Sequence, residues 1–291
     1  MFHQIKFMRM FQQQKDKSAP TLTESYIAMR TIKQNSPEWL EARKKFVITS
    51  SEFATAIGAD KTKSIRSLWK QKLLKQEPKR SNIELEALNW GLQNEVNGVK
   101  EFERLTGYIT KETGLWAIFP TEFEKNNLEE RLNKEKTNLE EQRPIFAASP
   151  DRLVYDEKEE LIGVLEVKCP FRKQIYDCCK PNAHPDAPDE RTIPLEHYIQ
   201  MQGQMAAVEC DVGFYCCWTP DHVTIFHVKF NHFLWKTLIE KKLQEFKNTI
   251  SNVTQPGICR SKQKTRTLIE MYIKKDVKHV ISDIKETNYS L

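Results

Sequence analysis

"SPDRLVYDEKEELIGVLEVKCPF", residues 149–171, places a charged "DEKEE" between two apolar runs. The pattern predicts a β-hairpin: residues 145–155 as one strand, 156–160 as the turn and 161–169 as the second strand. Leu161 to Leu165 is almost wholly apolar, which marks a central strand covered on both faces. Strand alternation sends Ile162, Val164, Glu166 and Lys168 one way, and Leu161, Leu165, Val167 and Cys169 the other. Buried charges without partners are costly, so Glu166 and Lys168 inside this strand demand compensation. Asp151, on the preceding strand, can come across from Glu166 and adds a second carboxylate.

Outward from the hairpin, the 291 residues suit one large domain with appendages, and 39% hydrophobic with 29% charged content suits a globular core. Residues 1–34 read as an N-terminal tail, 35–250 as the main domain and 251–291 as a basic helical extension. Ser36 and Pro37 are an N-cap and first-turn pair for a helix. Residues 82–107 predict a long helix with an apolar stripe of Leu85, Leu88, Leu92, Val96 and Val99, ended by Gly107. Residues 121–144 are highly charged with few apolar positions and read as an exposed helical insertion. Residues 108–120 give one or two strands, 172–193 a long loop, 194–209 a further helix, and 210–219 and 222–230 two more strands. The class is α/β (α+β), one mixed central sheet flanked by helices.

No apolar run approaches the roughly 20 residues of a membrane span. Formal net charge is +5, but it is uneven: residues 61–80 hold eight Lys or Arg against one Glu, and 260–279 are also basic. Acidic residues gather in 123–142 and 156–160. Basic faces beside a separate acidic site suit a protein that holds phosphates and needs metal ligands, while either run alone also reads as a solvated helix face. Seven cysteines form no CxxC or Cys/His ligand spacing, which points to reduced thiols in an intracellular protein, of cytoplasm or nucleus. The basic, apolar start "MFHQIKFMRMF" suits a tail or a mitochondrial address.

Two chemistries compete for Glu166 and Lys168. One is an ion pair on one strand face. The other is a divalent metal such as Mg²⁺, which takes hard oxygen ligands from one or two carboxylates plus water and phosphate. Asp151, Glu166 and the Val167 carbonyl could supply those oxygens, leaving Lys168 to face a scissile phosphate or to position a water. Glu95 lies three residues after Leu92 and four before Val99, beside the apolar stripe and towards the sheet. This third carboxylate, taken with the hairpin, favours the metal.

The ordered set "WLEARKKFVITSSE", "ALNWGLQNE", "AASPDRL", "GVLEVKCPF" and "YIQMQGQM" resembles the PD-(D/E)xK nucleases, within them the lambda-phage exonuclease and YqaJ-type viral recombinase group. The likeness covers much of residues 36–206 and departs from the group by one extra residue between Arg43 and "ITSSE" and by the long charged segments. It implies a restriction-endonuclease-like core, with Glu95, Asp151, Glu166 and the Val167 carbonyl as metal ligands and Lys168 as the catalytic lysine. It implies that Arg43, Ser51 and Ser149 line a pocket for a terminal 5′ phosphate, and that Gln200 or Gln202 orients a catalytic water or a site carboxylate. Surface glutamines are the alternative for that last pair. The activity implied is 5′-to-3′ digestion of linear duplex DNA ends to 5′-mononucleotides, with two Mg²⁺ ions for which Mn²⁺ substitutes. A role in recombination or viral genome processing, a strand-annealing partner and homo-oligomers belong to the same expectation. An endonuclease on the same fold and a nuclease-inactive DNA-binding module are the rivals.

Overall fold

The computed structural model describes residues 22–75, 80–119, 144–171, 179–181, 191–256 and 262–284. Its centre is a six-stranded sheet in the order β11-β10-β9-β6-β5-β2. These strands are β2 (Ile109–Glu112), β5 (Arg152–Tyr155), β6 (Leu161–Lys168), β9 (Val212–Thr219), β10 (His222–Lys229) and β11 (Val277–Ile284). β6 is central as expected, antiparallel to β5 and parallel to β9. A second sheet has the order β1-β4-β3, from β1 (Ile48–Thr49), β3 (Trp116–Ile118) and β4 (Phe146–Ala148), with β1 parallel to β4. A short ribbon pairs β7 (Lys180–Pro181) with β8 (Arg191–Thr192).

The helices in chain order are α1 (Leu22–Met29), α2 (Pro37–Arg43), α3 (Phe53–Ala56), α4 (Ile65–Leu73), α5 (Asn82–Thr106), α6 (Leu195–Val208), α7 (His232–Leu234), α8 (Glu240–Ser251) and α9 (Lys262–Asp276). α6 packs on both sheets and supplies Tyr198, Ile199, Met201 and Met205 to the main core with Val164, Tyr215 and Phe226. α5 covers the opposite face of the large sheet, with Val99 and Phe102 against Leu165, Val167 and Phe214. Gly98 makes that approach possible, because a Cβ there would lie 2.4 Å from Val167 Cγ1. The expected class, helices around a mixed sheet, is the one found.

Several elements differ from the sequence reading. The strand expected over 145–155 is two strands in different sheets, broken at Ser149-Pro150-Asp151. Pro150 has no N–H for a ladder, so the chain changes sheets there. The tail begins to fold earlier than residue 35. Met29 is buried, its carbonyl accepts from Leu115 N at 2.9 Å, and Arg30 stacks over Trp116. The C-terminal extension is helical only to Asp276; it then forms β11 and closes one edge of the large sheet. Ile269 and Ile273 of α9 sit in the main core.

The stripe on α5 is displaced. Leu85, Leu88, Leu92 and Val96 are exposed, and of the five only Val99 is buried. The buried residues are Gly98, Val99 and Phe102, with Glu95 half-buried on the same side. At about 100° per residue, the Glu95 face is turned well away from Val96. On β6 a bulge sets Leu161 opposite Tyr155 and Gly163 opposite Val154, leaving Ile162 as the extra residue. Leu161 therefore joins Val164 in the main core, and Ile162 joins Leu165 under α5, the reverse of strict alternation. The expected insertion at 121–144 falls almost wholly outside the described residues, as do most of residues 172–193.

Candidate active site

Glu166 points from the central strand towards α6 and is 1% exposed. Three side chains answer its charge. Gln200 Nε2 donates to Oε1 at 2.7 Å, Gln204 Nε2 donates to Oε2, and Lys168 Nζ donates to Oε1. The Glu166–Lys168 ion pair, the alternative to a metal in the sequence reading, is thus formed, and two glutamines complete the compensation a buried carboxylate requires. Gln200 and Gln204 are one helical turn apart and share a face. Gln202 lies off that face; it is fully buried, donates to Lys229 O at 2.9 Å and accepts from Asn231 N at 2.8 Å. The structure therefore brings Gln200 to the carboxylate and leaves Gln202 in the core. Gln204 was missed, although the i, i+4 spacing from Gln200 was available in the sequence.

Asp151 stands at the start of β5, just past the switch between sheets. Its N–H donates to Leu165 O at 3.1 Å, and its Oδ2 accepts from Val167 N at 2.7 Å. Burial above all, then the charges of Glu166 and Glu95, push its carboxyl well above the usual range. Glu95 reaches the same place from α5. Burial raises its carboxyl while Arg152 opposes the rise. Arg152 Nη1 donates to Glu95 Oε1 at 2.9 Å and to Asp151 O at 2.6 Å. Arg152 is a second residue that the sequence reading missed, although it directly follows Asp151. Glu95, Asp151, Glu166 and Lys168 thus form one electrostatic cluster.

Three carboxylates face two cations, Lys168 and Arg152, so the cluster is acidic by one charge when fully ionised. An all-oxygen set with excess negative charge fits a hard divalent cation by donor type and by sign. As the side chains stand, Glu95 turns to Arg152 and Glu166 to Lys168. No three His, Cys, Asp or Glu among the described residues are gathered closely enough to hold an ion.

Of the expected phosphate residues, Ser149 is tied to this cluster by Gln204, whose amide bonds both the Ser149 carbonyl and Glu166. Arg43 Nη2 donates to Thr49 Oγ1 at 2.6 Å, and the guanidinium stacks 4.4 Å over the Trp39 ring. Burial lowers its pKa, with the charge of Glu52 opposing. Neither Glu41 nor Glu52 pairs with it. Glu41 binds Lys44 and Glu52 binds Lys72. Thr49 pairs with Ala147, so Ser51 and Ser149 each lie two residues beyond a matched position on neighbouring strands. Ser51 is exposed on a 3₁₀ turn, Ser50–Glu52. Ser149 Oγ is buried and has no hydrogen-bond partner among the described residues.

Comparison with known proteins bears on the fold and the family. The fold is similar to that of an alkaline exonuclease from Laribacter hongkongensis, with TM-score 0.50 and 20% identity, over 80% of this chain and 100% of that one. The same exonuclease in complex with dAMP matches with TM-score 0.52 at 20% identity and the same coverage. No curated protein sequence matches the chain. A family model for the YqaJ-like viral recombinase domain matches residues 38–211. That span is more than half of the chain and takes in every side chain from Arg43 to Gln204 described above, so the chain belongs to the YqaJ-like viral recombinase domain family.

Proposed function

We propose that this protein is a metal-dependent DNA exonuclease that digests linear duplex ends from 5′ to 3′. The observation that carries this reading is the clustering of Glu95, Asp151 and Glu166 with Lys168, together with Arg43, which makes no ion pair among the described residues. Glu95, Asp151, Glu166 and the Val167 carbonyl would hold the ions, two Mg²⁺ for which Mn²⁺ substitutes. Bound there, the metal supplies Lewis-acid charge for water activation and for the leaving oxygen.

The chain's own residues do the rest. Gln200, Gln204 and Lys168 hold Glu166 in one orientation, and the Val167 N–H holds Asp151. Lys168 is a fixed cation against which a phosphate can accumulate charge. Arg43, held by Thr49 and Trp39, offers a planar donor face to a terminal phosphate, with the Ser51 and Ser149 hydroxyls beside it. That pocket supports the 5′ polarity and release of 5′-mononucleotides. Recombination or viral genome processing, a strand-annealing partner and self-assembly are part of the same proposal, by likeness to the family; an intracellular site of action is part of it from the cysteine usage. No described helix is long and apolar enough to cross a membrane.

The test is a time course on linear duplex with 5′-phosphate or 5′-hydroxyl ends, in Mg²⁺ and in EDTA. A closed circle and an Asp151→Ala variant run beside it. Mg²⁺-dependent shortening from phosphorylated ends, absent on the circle and in the variant, is expected. Cutting of the circle would favour an endonuclease, and DNA binding without cleavage would leave a binding module.

A further inference from the structure

Gln204 is fully buried on α6, yet it touches both halves of the candidate site. Its Nε2 donates to Glu166 Oε2 and to Ser149 O, the latter at 3.2 Å. A carboxylate and a carbonyl both require a donor, so this amide can point only one way. Its Oε1 and Ser149 Oγ are both buried with no partner among the described residues. Next to it, Gly203 admits the 3₁₀ turn that carries Ser51: a Cβ there would lie 2.6 Å from the Phe53 ring and 3.1 Å from Ser50 Cβ. The α6 backbone is thereby pressed against the expected phosphate pocket.

The segment Ser149-Pro150-Asp151 is held at every residue. Gln204 holds the Ser149 carbonyl, and Gln34 Nε2 holds the Pro150 carbonyl at 2.7 Å. Leu165 O and Val167 N hold Asp151. Among these holds, Gln204 is the one that also grips Glu166. Gln200 grips Glu166 as well, but no bond links it to Ser149 among those described.

We propose that Gln204 is a positioning residue that ties the terminal-phosphate pocket to the hydrolytic carboxylate, and so sets how strongly a 5′-phosphate end is preferred over a 5′-hydroxyl end. The inference rests on the exonuclease reading above. Gln204 fixes Ser149 relative to Glu166, so its loss moves the pocket out of register with the cluster. Gln200 bears on Glu166 alone, so its loss slows both kinds of end equally.

The test compares Gln204→Met, Gln200→Met, Ser149→Ala and the Gln204→Met/Ser149→Ala double variant. Two quantities are read: the ratio of kcat/KM for 5′-phosphoryl over 5′-hydroxyl duplex ends in Mg²⁺, and the ratio of Kd for the same two ends in EDTA. Gln204→Met is expected to lower both ratios about tenfold, the size of one lost hydrogen bond to a charged partner. Ser149→Ala should lower them similarly, because it removes the hydroxyl that Gln204 places through the Ser149 carbonyl, and the double variant should lower them no further, because a hydroxyl already absent cannot be displaced. Gln200→Met should reduce turnover on both ends and leave the ratios unchanged. If Gln204→Met does not fold, Gln204→Asn keeps a buried amide, is one methylene too short to hold both Glu166 and the Ser149 carbonyl, and carries the same expectation. Equal behaviour of the Gln204 and Gln200 variants, or additive loss in the double variant, would overturn the linkage. An inactive wild-type protein would sink the exonuclease reading instead; the EDTA ratios would then still decide whether Gln204 governs phosphate recognition.

Discussion

Replacing Arg152 by Met removes the guanidinium that holds Glu95 while keeping much of the side chain's bulk. Two bonds are lost, to Glu95 Oε1 at 2.9 Å and to Asp151 O at 2.6 Å. Arg152 and Glu95 side chains are only 16% and 27% exposed, so solvent screens the pair little. The more distant contact to Glu112, which is 79% exposed, adds almost nothing. At ~1.5–3 kcal/mol for a bond to a charged group, about 3 kcal/mol is a fair total after partial relaxation. At this chain length each kcal/mol moves the melting temperature by about 2–4 °C, so the loss is roughly 6–12 °C in EDTA. Added metal should recover more of this loss in the variant than it adds to the wild type, because its charge replaces the missing guanidinium. An ion at about a hundred times its Kd contributes ~2.7 kcal/mol. Thermal unfolding in EDTA, Mg²⁺ and Mn²⁺ reads both effects. Equal metal shifts in the two proteins would refute the argument that Arg152 and the ion neutralise one cluster.

Asp151→Asn should abolish cleavage yet raise the melting temperature in EDTA by about 3 °C, since it deletes a carboxylate that burial, Glu166 and Glu95 all disfavour. Gly98→Ala should destabilise by ~1–3 kcal/mol, because its Cβ would lie 2.4 Å from Val167 Cγ1. Adding Val167→Ala should recover part of that loss in a denaturant titration. Tyr198→Phe removes a 2.6 Å bond to Asp276, which keeps Asn231 as a donor. It should cost ~1 kcal/mol in the same titration and leave the cleavage time course unchanged.

The central strand was readable because burial on both faces leaves an uninterrupted apolar run, and a charge inside such a run stands out. Glu166 and Lys168 were visible for that reason. The α5 stripe misled because apolar residues at helical spacing say nothing about how far a sheet extends beneath a helix. The sheet reaches Val99 and Phe102 and leaves Leu85 to Val96 in the open. The mis-set Leu161 and Ile162 came from a bulge, and a bulge depends on how β5 pairs with β6 rather than on the composition of β6 alone. β11 was hidden because no Gly or Pro separates Val277–Ile284 from the helix before it; pairing with the edge of β10 makes it a strand.

The glutamines show where sequence periodicity held information that was not used. "QMQGQ" offers three amides, and a helix can present only two of them, Gln200 and Gln204, to one neighbour. Glu166 needs donors from α6, so the i, i+4 pair was the consistent choice and Gln202 the odd one out. The same logic explains why a carboxylate can sit in the most buried strand of the protein. Its compensation is distributed over a lysine two residues along the strand and two amides on the helix above, and none of the three is itself acidic. Neutral amides fix the orientation of Glu166 without cancelling its charge, which leaves the cluster, with Lys168 and Arg152 counted, one negative charge in excess when fully ionised and available to a cation. A site built only for stability would have favoured full neutralisation by a second base. Gln200→Lys therefore separates the two cases. It should tighten the fold in EDTA, and it should lower metal-dependent stabilisation because the added ammonium competes with the ion for Glu166.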